Sequence, residues 1–346
     1  MTTEVLSQSP QVSPNVTTRR QNIYFVDREV ELPSIDRSSF SKRQMEMIKP
    51  LQQLETWKNW KILLLFGLWA LGIWLSLASS SMLLILSGIV LSGCSMTGLT
   101  VLMHEGCHQL LSKNKLINRW LGVVCGIPAL VSMSAYRSIH LVHHSLARSE
   151  IDPDDIENTA PKSIPLVLVY YVVLLAGIYI YLVTVVVSGY RHANSKCRRR
   201  IVVEFGLIVG AIASAFWLLP AAVVLKAWIF PLLVAGQLAN VRGLAEHGLT
   251  TAGNPFSETR TVVSNGFVRF FMSNLNYHLE HHLYPATPWY NLRKLHAVIE
   301  PERIASSASI YSGYLPFLWD FFKSTWAGIL PDKSLVPPHV REQYGR

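Results

Sequence analysis

Eight of the twelve histidines in this 346-residue chain fall in three pentads. These are His104-Glu105-Gly106-Cys107-His108, His140-Leu141-Val142-His143-His144 and His278-Leu279-Glu280-His281-His282. On a helix, residues three and four apart share a face. His104 and His108 are thus expected to point one way, as are His140, His143 and His144, and His278, His281 and His282. Three such faces converging make a nitrogen-rich cage with room for more than one metal ion. Imidazole suits iron, zinc, copper and nickel, so ligand type alone leaves the metal open.

Smaller signals surround the pentads. His247, in Leu244-Ala245-Glu246-His247-Gly248, stands where the chain leaves its last apolar run, and is read as a further ligand. The acidic run Arg148-Ser149-Glu150-Ile151-Asp152-Pro153-Asp154-Asp155 can hydrogen-bond the far nitrogens of ligating imidazoles, or be a solvated loop with a Pro turn. Asn274 and Asn276 can orient an imidazole or a metal-bound water, or cap the helix of the third pentad. Cys107 is read as a packing residue. His192 and His339 are expected in solvent, and His296 is left out of the site. Four cysteines without CxxC or paired spacing give no disulfide framework.

The elements that must carry these ligands are apolar. Half the residues are hydrophobic and 15% are charged, far from an average soluble domain. Leu63 to Leu77, Met82 to Met103, Ile164 to Val187, Ile201 to Leu219 and Ala221 to Ala239 are long runs, and several approach the roughly 20 residues that cross a hydrocarbon core. Residues 1–20 are polar and read as a disordered tail, with no signal peptide. A net charge of +9 fits loops facing anionic lipid. No Gly-rich phosphate loop or basic-aromatic motif points to nucleic acid.

A shared metal site needs its ligands on one side of the membrane, so an even number of crossings must separate any two pentads. Trp60 to Met103 fits a hairpin turning near Ser79–Ser81. Trp120 to Ala135 is short, holds Gly122, Gly126 and Pro128, and reads as re-entrant or interfacial. Three apolar runs lie between His144 and His278, so one does not cross. The preferred arrangement takes its two crossings from Ile164–Val187 and the Ile201–Ala239 region, with part of the latter interfacial. The second keeps Ile164–Val187 on one side and makes a hairpin of Ile201–Ala239, bent at Pro220. The second suits the basic loop Tyr190–Arg200, which the positive-inside rule holds in the cytoplasm.

The set HxxxH, HxxHH and HxxHH, with paired apolar runs, resembles the membrane fatty acid desaturase superfamily from about Trp60 to Glu300. The stretch Asn-Leu-Asn-Tyr-His-Leu-Glu-His-His-Leu-Tyr-Pro, from Asn274 to Pro285, is especially similar to the third box of that group. The resemblance implies an all-α, multi-pass integral membrane protein with paired transmembrane helices and a cytoplasmic helical cap carrying three His boxes. It implies two iron ions held by His104, His108, His140, His143, His144, His278, His281 and His282, with His247 as the additional ligand. It also implies O2 as co-substrate, an acyl-lipid or acyl-thioester substrate and a C–H bond as the point of attack. The chain lacks a His-Pro-Gly-Gly segment, a GxGxxG site and a Cys cluster, so electrons are expected from a separate ferredoxin-like or cytochrome b5-like donor. The organisation expected is a polar and membrane-surface segment over 1–60, a catalytic domain over 61–300 and a cytoplasmic segment over 301–346.

Three other readings remain open on the sequence. The same superfamily includes carotenoid and other lipid hydroxylases and ketolases. The first pentad is also HExxH, the motif of zinc peptidases with Glu105 as general base. A metal carrier is the third, although carriers place polar ligands within the membrane path, whereas these boxes lie at the ends of apolar runs.

Overall fold

The computed structural model describes residues 22–25, 28–31, 40–149, 151–155, 158, 160, 164–250, 254–306 and 308–326. The expectations for the tail 1–20, for Glu150 and for His339 fall outside these residues. The described chain is almost wholly helical. Two strand pairs complete it: β1 (Asn22–Phe25) antiparallel to β2 (Arg28–Glu31), and β3 (Thr261–Val262) parallel to β4 (Ile310–Tyr311).

After a surface helix, α1 (Lys42–Leu51), the expected hairpin forms from α2 (Lys61–Ala78) and α3 (Met82–Cys107). Small residues let the two backbones approach closely. A Cβ on Gly72 would meet the Gly88 carbonyl at 2.6 Å, and one on Gly88 would meet the Gly72 carbonyl at 2.5 Å. In lipid, where apolar surface alone does not drive helices together, such close packing supplies the attraction. α3 is the central helix: 56% of its apolar window is buried, against 17–28% for the other long helices.

The chain reverses just past His108, where Gln109 takes φ 63°. α4 (Lys115–Gly126) starts at Asn114, whose side chain accepts from the N–H groups of Leu116 and Ile117. α5 (Met133–Leu146) starts at Ser132, whose hydroxyl accepts from Ala135. Lys115–Ala129 and Met133–Leu146 meet at 102°. Buried Glu204 accepts from the Ser132 hydroxyl, the Ser134 N–H and the Ser134 hydroxyl, a carboxylate placed at the positive end of the helix that carries the second pentad.

Three long helices follow: α6 (Leu166–His192), α7 (Ser195–Leu218) and α8 (Ala221–His247), the last with a π-helical stretch at Leu225–Ile229. Five helices are long and apolar enough to cross a membrane. The start of α6 adjoins the end of α8, where the Tyr170 hydroxyl accepts from Leu249 N–H, two residues past His247. The end of α6 adjoins the start of α5, where a Cβ on Gly189 would meet the Ala135 carbonyl at 2.4 Å. Both ends of α6 therefore lie beside His-bearing elements. α6, as Val167–His192, is one of the five candidate spans. His192, expected in solvent, is half-buried and its Nδ1 lies 2.8 Å from the Ser188 carbonyl.

The remainder is short helices: α9 (Gly266–Phe271), α10 (His278–Leu283), α11 (Leu292–Val298), α12 (Glu300–Ala305) and α13 (Tyr314–Trp326). Phe317 and Phe321 of α13 join Val169, Tyr170, Leu174 and Leu244 in one apolar cluster. Ile48 of α1 joins Leu292 and Leu295 of α11 in another. The second cluster also holds Leu279 and Leu283 of α10.

Candidate metal centre

All nine histidines singled out from the sequence come together. α3 delivers His104 and His108 at its end, α5 delivers His140, His143 and His144, α8 delivers His247 as its last residue, and α10 delivers His278, His281 and His282. Each is buried or half-buried. They divide into two groups. His104, His108, His140, His144 and His281 place one ring nitrogen each within 4.8 Å of one another. His143, His247 and His282 do the same, and His247 is shared with a third set, Glu246 and His278.

Within the first group, the Nε2 atoms of His108 and His140 are 2.9 Å apart, those of His140 and His144 3.0 Å, and those of His144 and His281 3.0 Å. In the second, His247 and His278 are 2.7 Å apart and His278 and His282 3.1 Å. A ring nitrogen offers one proton or one lone pair in the ring plane. His140 and His144 each face two other nitrogens, more than hydrogen bonding between rings can satisfy. Nitrogens about 2.0–2.1 Å from one cation, at right angles, would stand about 3 Å apart, so the spacing suits a shared ion. His104 has both ring nitrogens buried without a hydrogen-bond partner among the described residues. Burial holds His140, His144, His278, His281 and His282 well below the ordinary histidine range. Neutral rings keep the lone pairs a metal needs.

The groups behind the rings are unequal. His143 Nδ1 donates to Asp152 at 2.8 Å. Burial alone would lower this histidine, but Asp152, Asp154 and Asp155 outweigh it and raise His143 to about 9. Nε2 is then the nitrogen left to face His247 and His282. His278 Nδ1 stands 3.4 Å from Glu246, which Arg242 grips through both oxygens at 2.9 Å. The acidic run thus does through Asp152 what one of its two readings foresaw, while Asp154 accepts from Tyr181 and Asp155 pairs with Arg148.

The other readings are also sorted. Asn274 donates to the Trp289 carbonyl and Asn276 to that of Val262. Neither caps α10, whose first cap position is Tyr277 without a side-chain bond. The Cys107 sulfur rests on the Met133 carbonyl, outside both nitrogen groups. Glu105 turns to the Trp289 N–H at 2.9 Å, and His104 and His108 share their group with three further histidines, an arrangement unlike a zinc peptidase. His296, left out of the site, supports it instead: its Nδ1 lies 2.5 Å from Glu280, the acid between the ligands of the third pentad. Tyr136 was missed although it sits one helical turn before His140, and the two rings stack at 4.8 Å.

Comparison with known proteins agrees with this geometry. The fatty acid desaturase family model matches residues 79–314. The sn-1 oleoyl-lipid 12-desaturase of Arthrospira platensis is 26% identical over 253 residues, 64% of this chain and 69% of that protein. The dihydrorhizobitoxine desaturase of Bradyrhizobium elkanii is 28% identical, covering 60% of this chain and 65% of its own length. The human sphingolipid delta(4)-desaturase/C4-monooxygenase DES2 is 26% identical, covering 79% and 83%. A match over more than half the chain, joined to nine converging histidines on a membrane-type helical frame, makes this chain an oxidoreductase of the fatty acid desaturase family.

Proposed function

We propose that the chain introduces a double bond into a fatty acyl chain, using O2, two electrons and two iron ions held by the nine histidines. One iron would be held by His104, His108, His140, His144 and His281, the other by His143, His247, His278 and His282. Bound there, the di-iron centre supplies the O2-dependent removal of hydrogen from an unactivated methylene. Two adjacent methylenes, O2, two electrons and two protons become one double bond and two waters.

The observation that carries this reading is a cavity of about 520 Å³ that opens on His104, His140, His143, His247 and His278. It runs between α5, α6 and α8, and its walls include Val169, Val173, Ile178, Leu182, Leu232 and Ala239. Such a lining excludes water and admits a hydrocarbon chain, and it fixes which methylene stands at the centre. The substrate is an acyl-lipid or acyl-thioester drawn from the bilayer, and the site faces the cytoplasm. Electrons come from a separate ferredoxin-like or cytochrome b5-like donor. The basic stretch Arg191–Arg200 supports that partner: it flanks α5, with Cys197 against Ser138, and suits an acidic surface.

The test is a lipid and pigment profile by mass spectrometry in a host that supplies reductant, beside a His143→Ala control. New unsaturated acyl chains that vanish in the control are the expected result. A second reading, hydroxylation, is favoured by the relative whose name joins a desaturase to a C4-monooxygenase. Oxygenated lipids or carotenoids in place of unsaturated chains would establish it and overturn the first.

A further inference from the structure

A second cavity lies beside the start of α2 and shares no lining residue with the acyl cavity. It measures about 330 Å³ and is lined by Trp57, Lys58, Trp60, Lys61, Leu64, Arg269, Phe270, Asn274 and Trp289, within the usual range of ligand pockets. We propose that it binds the phosphate of an anionic membrane lipid, with the tryptophans packing on the glycerol and upper acyl region.

The charge balance comes first. The lining holds three cations and no carboxylate. Lys58 pairs with Glu55 outside the lining at 2.7 Å. Lys61 is 4% exposed, yet its ammonium meets only the Phe270 carbonyl and the Ser273 hydroxyl, and lies over the Phe270 and Trp289 rings. An ammonium has three N–H donors, so one remains for a ligand. Arg269 spends one donor on the Ser264 carbonyl and forms no ion pair among the described residues. Glu105 acts on buried Lys61 and Glu55 pairs with Lys58, but Arg269 has no carboxylate partner among the described residues, and an incoming phosphate would supply one.

Position decides between a lipid and a free anion. The cavity sits where the chain enters α2, the level at which Trp, Lys and Arg meet the headgroups. Trp57 and Trp60 are 65% and 54% exposed, and the lining is mainly apolar. A free phosphate would have no use for that surface; the glycerol end of a lipid would cover it. Occupancy would also reach the metal centre. Asn274 and Trp289 flank α10 on either side, are joined by a hydrogen bond of 3.1 Å and both line the cavity, so a ligand resting on the pair bears on both approaches to the third pentad.

The experiment is native mass spectrometry of the purified full chain, released from micelles holding equal phosphatidylglycerol and phosphatidylcholine. Wild type is expected to retain phosphatidylglycerol preferentially. Lys58→Ala with Arg269→Ala should cut that retention about tenfold or more, since each surface cation contributes on the order of 1 kcal/mol toward anionic lipid. Arg269→Lys should keep most of it. Arg119→Ala should also keep it, because Arg119 stacks on Trp120 and does not line the cavity. Lys58→Ala alone, with a smaller loss, decides the matter if the double variant does not fold. Equal retention in wild type and the cavity variants overturns the proposal. So does full displacement of the lipid by millimolar inorganic phosphate, which would make this a free-anion site.

Discussion

The two histidine groups of this centre are built from the same helices but in opposite proportions. Of the second pentad, His140 and His144 join the five-histidine group while His143 turns to the other. Of the third, His278 and His282 join the four-histidine group while His281 turns to the first. Helix geometry accounts for the split. At about 100° per residue, positions i and i+4 are about 40° apart, whereas i+3 is swung about 100° from i+4. An HxxHH pentad is therefore two ligands on one line and a third set aside from it. Two such pentads facing each other fill two pockets. The groups also differ in what stands behind them. Asp152 accepts a hydrogen bond from His143 of the four-histidine group, and Glu246 stands 3.4 Å from His278 Nδ1 without hydrogen-bonding it. The Nδ1 atoms of His140, His144 and His281 have no hydrogen-bond partner among the described residues. A carboxylate behind an imidazole raises its basicity and fixes its tautomer, so Asp152 makes the two sets of nitrogens chemically unequal.

The hardest test of that division removes one ligand from each side. The rings of His144 and His282 stack at 4.1 Å, yet they belong to different groups. His144→Ala and His282→Ala should each lower desaturation by more than about 100-fold, beyond what loss of a partner behind a ligand costs. Each should leave one metal equivalent in place, and the two retained ions should differ in their spectra. Metal analysis with Mössbauer spectroscopy of iron-loaded variants checks this. Loss of both equivalents from either variant would merge the two groups into one.

Asp152→Asn probes the inequality behind the rings. The amide keeps the size of the side chain but not its charge, and His143 loses the anion that fixes its Nδ1 proton. Metal retention should weaken about 10–100-fold, in the four-histidine group alone. Chelator challenge followed by metal counting would show one equivalent leaving early and the other unchanged. Equal release from both positions would contradict the assignment of Asp152 to one side.

The distances between these groups explain what the sequence could and could not reveal. The nine converging histidines were legible because metal chemistry demands one residue type at helical spacing, and few other demands put three histidines in five residues. The α2–α3 hairpin was legible from two apolar runs and a serine turn. The split of each pentad was not seen, because a reading that pools i+3 with i+4 treats about 100° as one face. The path of α6 was left open, because hydropathy records composition and not where a helix ends. Only the contacts of Tyr170 and Gly189 place those ends. His296 escaped because its role is defined by Glu280, sixteen residues away, with no period linking them.

His296→Ala should have the smallest effect, and it sharpens the comparison by touching both sides equally. Glu280 lies on α10 between the residue that serves the first group, His281, and one that serves the second, His278. Its carboxylate accepts from His296 and from the Thr261 hydroxyl, and Arg303 stands at 3.7 Å. Removing His296 takes one partner from a buried acceptor, which costs about 1–3 kcal/mol when nothing replaces it. Thr261 and Arg303 remain, so the lower end of that range is expected. The change should appear as a modest fall in melting temperature of the metal-loaded protein, with both equivalents released slightly faster and in step. Because α10 is a single short helix of six residues, loosening it cannot favour one group over the other. A release that is selective for either metal would mean that Glu280 holds individual ligands and not the helix that carries them.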